Sequence, residues 1–239
     1  MCPGCDGKDL ESTFHDVIRC KRCGLGFLTP SLRETHSRQV QDVYLTTGGR
    51  APENPGERDH KGRVALHILN HIRTAFHKDP KRAYEIGAGS GYMVNALRGA
   101  GLTVTGNDVY LPPDQPATCW DREPFHQKWF SDAFVGAFDL VYAWDAMEHL
   151  PEIDQAFINI ERILKPGGVF VMHSPFFDRY KDNKSHPYWE PGHLWHMTPF
   201  SAELMLGPGE FTVTHECGMV GGDTGLAAAD NFVLWGVKK

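Results

Sequence analysis

Long apolar runs, internal repeats and blocks of like charge are all missing from this chain of 239 residues. No apolar stretch approaches the roughly 20 residues that span a bilayer, and Met1-Cys2-Pro3-Gly4 opens no signal peptide. The expectation is a soluble, cytoplasmic protein with no membrane partner. A basic excess is missing too: 24 Lys and Arg stand against 30 Asp and Glu, a net charge of −6. That balance disfavours nucleic acid as a partner, because proteins that live by neutralising phosphates are basic. Aromatic residues, by contrast, are plentiful: 14 Phe, 6 Trp and 7 Tyr in a chain that is 41% hydrophobic are enough for a packed core. With a typical domain near 150 residues, the length suits one good-sized domain and a small appendage.

Cysteine is scarce except at one end. Four of the six (Cys2, Cys5, Cys20 and Cys23) form C-x2-C-x14-C-x2-C within the first 23 residues. Two such knuckles can complete a tetrahedron of thiolates around one ion, so a structural zinc ribbon over residues 1–29 is expected. Two disulfides, or a redox pair, are the rival readings. Cys119 and Cys217 stand alone and read as buried small hydrophobes.

Residues 31–60 are polar and turn-rich, with Thr46-Thr47-Gly48-Gly49 and Pro52-Glu53-Asn54-Pro55-Gly56 as breakers, and read as a linker and lid segment over 30–60. Val64, Leu66, Ile68, Leu69 and Ile72 then predict a helix ending near Phe76. From Arg82 the rhythm is strand, helix, strand: 83–86, 92–98 and 102–106, then a hard-to-read stretch up to Gly136. A buried strand at 138–143, a helix over 153–164 and a strand at 169–172 follow. Strands at 211–214 and 232–237 close the chain. Alternation with short links argues a parallel α/β sheet.

The loop Gly87-Ala88-Gly89-Ser90-Gly91 lies after a strand and before a helix, where glycines let the backbone approach a nucleotide and present amides to it. Asp108 ends the next strand, placed to accept hydrogen bonds from the vicinal hydroxyls of a ribose. Glu85, two residues before the first glycine, would repel a pyrophosphate and welcome a cationic ligand. S-adenosylmethionine carries an ammonium and a sulfonium and no phosphate, so charge favours it over a nicotinamide dinucleotide.

The segments A-Y-E-I-G-A-G-S-G … T-G-N-D (83–108) and F-D-L-V-Y-A-W-D-A-M-E-H-L-P … L-K-P-G-G-V-F-V-M-H-S (138–174) resemble motifs of class I S-adenosylmethionine-dependent methyltransferases. The arrangement with a four-cysteine ribbon resembles small-molecule and sugar methyltransferases. The resemblance implies a Rossmann-like sheet with a reversed C-terminal hairpin over 61–239. It also implies that Glu85, Gly87, Ala88 and Gly89 surround the methionine part and that Asp108 holds the ribose. Asp121 would meet the adenine amine, with Trp120 as a stacking alternative, and Trp144 and Asp145 would line the sulfonium side.

Methyl transfer is an in-line displacement that often needs a base. His149 and His173, at carboxyl ends of strands, are candidates, as is His196 in the aromatic-rich segment 176–200, where Trp189, Trp195 or His196 is expected to reach the acceptor. Asp145, Glu148 and His149, at i, i+3 and i+4, resemble the E-x-x-E-H spacing of small-RNA 3′-end 2′-O-methyltransferases and ubiquinone-pathway O-methyltransferases. That likeness implies Mg²⁺ or another divalent ion, with a further His from 186–196 completing the shell; a plain helix-start packing role is the alternative. The expected function is methyl transfer from S-adenosylmethionine to a small hydroxylated metabolite, sugar or natural-product intermediate. An RNA or tRNA methyltransferase using the ribbon for contact, and a non-catalytic zinc-mediated interaction protein, are the alternatives; each is compatible with an oligomer.

Overall fold

The structure is a computed structural model that describes residues 1–46, 55–108, 120–121, 134–190, 192–207, 209–217 and 230–239. Its centre is a seven-stranded sheet ordered β10-β11-β8-β7-β4-β5-β6. These strands are Arg82–Ile86 (β4), Thr103–Asn107 (β5), Trp120–Asp121 (β6), Phe138–Trp144 (β7), Leu164–Pro175 (β8), Phe211–Cys217 (β10) and Asn231–Lys238 (β11). β4 to β8 run parallel, whereas β11 is antiparallel to both β8 and β10, so the closing hairpin is reversed.

Strands covered on both faces need apolar residues at nearly every position, and β7 supplies them. Val141 and Ala143 face one core, while Leu140, Tyr142 and Trp144 face the other. Helices α2 (Pro55–Ala75) and α3 (Tyr92–Gly99) cover the second core. The first core is covered by α4 (Ile153–Ile163) and α6 (Pro199–Leu206). In α4, Ile153, Ala156, Phe157, Ile160 and Ile163 fall on one stripe at helical spacing.

The N-terminal strands Leu10–Ser12 (β1), Ile18–Cys20 (β2) and Gly26–Phe27 (β3) form a small antiparallel sheet with a fourth member, Trp195–His196 (β9), from the insert between β8 and α6. A short helix, Phe177–Tyr180 (α5), opens that insert. The ribbon therefore shares a sheet and a core with the rest of the chain: Cys2, Cys20, Cys23 and Leu25 belong to the same buried cluster as Phe157, Phe177 and Phe232.

Several expectations are corrected. The stretch read as a linker contains helix α1 (Pro30–Thr46), and α2 begins at Pro55, well before Val64. Proline suits a first helical turn, where its missing N–H has no partner to lose, and Glu57 complements the positive end of the helix. Lys165-Pro166-Gly167-Gly168 does not precede β8 but lies within it, with the pairing slipped between Phe138 and Leu140 and Gly167 at φ 74°. Cys217 is exposed at the end of β10 rather than buried. Cys119, the linker residues 47–54 and most of the proposed third-strand segment fall outside the described residues. No described helix is long and apolar enough to cross a membrane.

Phe177 is fully buried where ribbon and insert meet, its ring against Tyr180, Trp189 and His196. Phe177→Ala is expected to lower the unfolding free energy by about 3–5 kcal/mol in denaturant titration; a loss below about 1 kcal/mol would contradict a shared core.

Candidate active site

A cavity opens at the carboxyl ends of β4 and β7, neighbours in the sheet, as parallel sheets dispose their sites. Gly87, Gly89 and Gly91 take left-handed φ values of 69°, 54° and 74°. At Gly87 a Cβ would sit 2.6 Å from that of Ala146, so both conformation and space demand glycine. The loop is tied to β5: Ala88 N–H donates to Asn107 O (2.9 Å) and Gly89 N–H donates to Asp108 Oδ2 (2.7 Å). Asp108 is thereby fixed at the mouth of β5. Behind it, Tyr142 O–H donates to Glu85 Oε2 at 2.9 Å, and burial together with the Glu85 charge raises the tyrosine pKa far above normal.

Glu85, Gly87, Ala88, Trp144 and Asp145 all line the cavity, with Glu57 and Lys61 from α2 on the opposite wall. Among the described lining residues Lys61 is the one cation against three carboxylates. The side chain of Asp121 lies outside the described residues, although its backbone pairs with Asn107.

Asp145 does not join Glu148 and His149 on one face. Its φ is 52°, and its carboxylate accepts from His173 Nδ1–H (2.5 Å) and Lys61 Nζ (3.2 Å). Burial would raise its pKa, but His173 and Lys61 outweigh burial and hold it below the usual carboxylate range. His173 is buried, stacks on Trp144 at 4.3 Å, and at Nε2 accepts from Asn231 Nδ2 (3.1 Å). With both nitrogens engaged it orients Asp145 and Trp144 rather than meeting an acceptor.

Near Asp145 stands a second group. Donor atoms of Glu148, His149 and His193 lie within 4.8 Å of one another. His149 Nδ1–H donates to Gly192 O (2.7 Å) and His193 Nδ1–H to Tyr188 O (2.9 Å), which fixes how each ring is turned; His193 Nε2 lies 3.2 Å from Glu190 Oε1. Glu148, buried and facing Asp145, has its pKa pushed up to about 8, and Ser174 O–H donates to it (3.2 Å).

At the N-terminus the four thiols of Cys2, Cys5, Cys20 and Cys23 also lie within 4.8 Å of one another. The pairs Cys2–Cys23 and Cys5–Cys20 stand at 3.6 Å, far beyond the ~2.05 Å of a disulfide but close to the ~3.8 Å edge of a tetrahedron with 2.3 Å zinc–sulfur bonds. Zinc fits this donor set.

Trp189, Trp195 and His196 are all buried in the seam between ribbon and insert. His196 Nδ1 pairs with Tyr180 O–H (2.7 Å), Trp189 meets Phe14 edge-on and His15 at a tilt, and Arg33 covers Trp195. None lines the cofactor cavity. Lys61, Glu57 and Asn231 were missed from sequence; their distance along the chain from the glycine loop gave no signal.

Residues 58–216, well over half of the chain, match the sequence profile of the family described as "Methyltransferase domain". A ubiquinone biosynthesis O-methyltransferase of Thiobacillus denitrificans is 28% identical over 116 residues, 43% of this chain and 50% of that protein. Its counterpart in Escherichia coli is 24% identical over 155 residues, 59% of each. The chain spans only about half to three-fifths of the length of these curated relatives. In fold, it is similar to the plantazolicin methyltransferase BpumL in complex with SAH and a monoazolic desmethylPZN analog, with TM-score 0.60, 13% identity, and 88% of this chain and 96% of that one covered.

Burial, aided by His193 and His15, lowers the His196 pKa to about 3. An unfolded His binds a proton below about 6.5, whereas His196 in the folded chain does not, so stability falls as pH drops from 6.5 toward 3, by up to about 1.4 kcal/mol per pH unit. In pH-resolved denaturation, His196→Gln is expected to flatten this fall; an unchanged slope would contradict the burial of a neutral imidazole.

Proposed function

The chain belongs to the methyltransferase-domain family, and on that premise we propose that it transfers the methyl group of S-adenosylmethionine to a small hydroxylated metabolite, sugar or natural-product intermediate. The observation that carries the cofactor reading is the Asp108 carboxylate, held by Gly89 N–H beside a cavity with three carboxylates and one cation. That carboxylate, at the carboxyl end of β5, is placed for ribose hydroxyls, and the anionic walls suit a sulfonium and an ammonium. Glu85, Gly87, Ala88 and Gly89 would surround the methionine part, Asp121 would meet the adenine, and Trp144 and Asp145 would face the sulfonium. Lys61 offers a counter-charge to the cofactor's carboxylate. Relatives named for ubiquinone biosynthesis and for plantazolicin support a small-molecule acceptor.

In the reaction an acceptor oxygen attacks the methyl carbon in line with the departing sulfur. The carbon–sulfur bond breaks as the carbon–oxygen bond forms, and the sulfonium becomes a neutral thioether. The acceptor proton would pass to His149, whose ring is oriented by the Nδ1–H bond to Gly192 O. A second reading of the same group rests on its donor set: Glu148, His149 and His193 would hold a divalent ion such as Mg²⁺, which supplies positive charge to lower the pKa of an acceptor hydroxyl. Cys2, Cys5, Cys20 and Cys23 would hold structural zinc.

Calorimetric titration with S-adenosylmethionine is expected to show saturable binding, weakened about tenfold or more in Asp108→Ala; undiminished affinity would refute the site. With an acceptor in hand, His149→Gln is expected to lower the transfer rate by about 10² or more. Full activity in EDTA supports the base, and loss restored by Mg²⁺ supports the metal; an active His149→Gln enzyme excludes both.

A further inference from the structure

We infer that the cysteine ribbon is the positioning element of the acceptor side: through β9 it holds Glu148, His149 and His193 in place, and it leaves the cofactor half independent. This rests on the proposed zinc and acceptor-side readings.

The path is short and made of backbone. β3 pairs with β9, Gly26 opposite His196 and Phe27 opposite Trp195. Just after β3 and just before β9, Leu28 N–H donates to Leu194 O (3.4 Å). β9 is tied in turn to the one-turn 3-10 helix Met147–His149 that carries two of the three acceptor-side residues. Leu194 N–H donates to Glu148 O (2.9 Å), and Trp195 Nε1–H donates to Leu150 O (2.6 Å). Gly192 O, in the same segment, is the acceptor for His149 Nδ1–H. His193 is itself part of this segment. A two-residue strand has no standing without its partner, so the ribbon supplies the condition for β9 to exist.

Further ties run the same way. Thr198 O–H donates to Cys23 O (3.0 Å), binding the start of α6 to the second knuckle. At the hairpin tip the His15 ring pairs with Lys184 O (2.9 Å) and Phe14 meets Trp189 edge-on. Two of the ribbon's cations are matched, Arg19 by Glu11 and Asp178, and Lys21 by Asp9, which makes these two poor anchors for phosphates. The described residues that line the cofactor cavity come from α2, from β4 through the start of α3, and from the end of β7, with none from the ribbon. If zinc-site energy is folding energy, its loss should be felt along β9 and not along β4 or β5.

The test uses the full chain, zinc-stripped by chelation under reducing conditions, and the variant Gly26→Ala. A Cβ at Gly26 would lie 2.6 Å from Phe177 Cε1 and 2.9 Å from His196 Cβ, so the variant parts ribbon from insert without touching a cysteine. Hydrogen exchange and S-adenosylhomocysteine calorimetry are the readouts. In both samples amides of 192–198 are expected to exchange about tenfold faster or more, those of 82–108 to stay protected, and affinity for S-adenosylhomocysteine to hold within about twofold. Zinc returned to the stripped chain should restore protection. Unchanged protection at 192–198 in both samples, or loss spreading to 82–108 with loss of binding, would overturn the inference. Deprotection in Gly26→Ala alone, with no zinc found by elemental analysis, would overturn the zinc reading and support the positioning role.

Discussion

One close approach governs how this chain is assembled: Gly26 lies where Phe177 and His196 pass, and no side chain other than hydrogen fits there. Because β3 can come that near, β9 joins the ribbon's sheet, and Phe177 seals the seam between the two. The buried cluster then runs unbroken from Cys2 and Cys23 through Phe177 and Trp195 to Phe157 and Phe232. A ribbon of three short strands buries too little apolar surface to stand unaided. The shared core supplies the burial that the ribbon alone lacks.

The same assembly divides labour around Asp145. Its left-handed backbone, tolerable for Asp but costing of order 1 kcal/mol, turns the side chain away from the helix-start residues and toward His173 and Lys61. Trp144 and His173 stack behind it, and Asn231 closes the array from β11. Asp145 shares a cavity with the glycine loop, and its charge acts as well on Glu148 and His193 of the second group. A cationic cofactor and an acceptor would meet across it, each wall built by different elements.

Much of this was legible in the sequence. β4, the glycine loop, α3, β5 and Asp108 follow from short apolar runs broken by glycines whose backbone angles admit little else. The cysteine spacing brings four thiols together as expected. The helices α1 and the first half of α2 were not legible, since their residues are polar on most sides and Pro55 reads equally as a breaker and as a first helical residue. β9 was hidden for a different reason: two residues take strand form only because β3, far away in sequence, pairs with them. The i, i+3, i+4 spacing of Asp145, Glu148 and His149 presumed a continuous helix. A left-handed Asp145 and a 3-10 turn at Met147–His149 break that periodicity, and His193, from the insert, takes the vacated place.

The central claim is that one sheet edge seats S-adenosylmethionine with its methyl directed at an acceptor wall buttressed by the ribbon. A crystal structure with S-adenosylhomocysteine, collected at the zinc absorption edge, tests this most directly. The account predicts ribose hydroxyls on Asp108, the sulfur between Trp144 and the Glu148–His149–His193 group, and an anomalous peak among Cys2, Cys5, Cys20 and Cys23 with β3 paired to β9. Nucleoside density elsewhere, or a ribbon detached from β9 in the loaded protein, would contradict it.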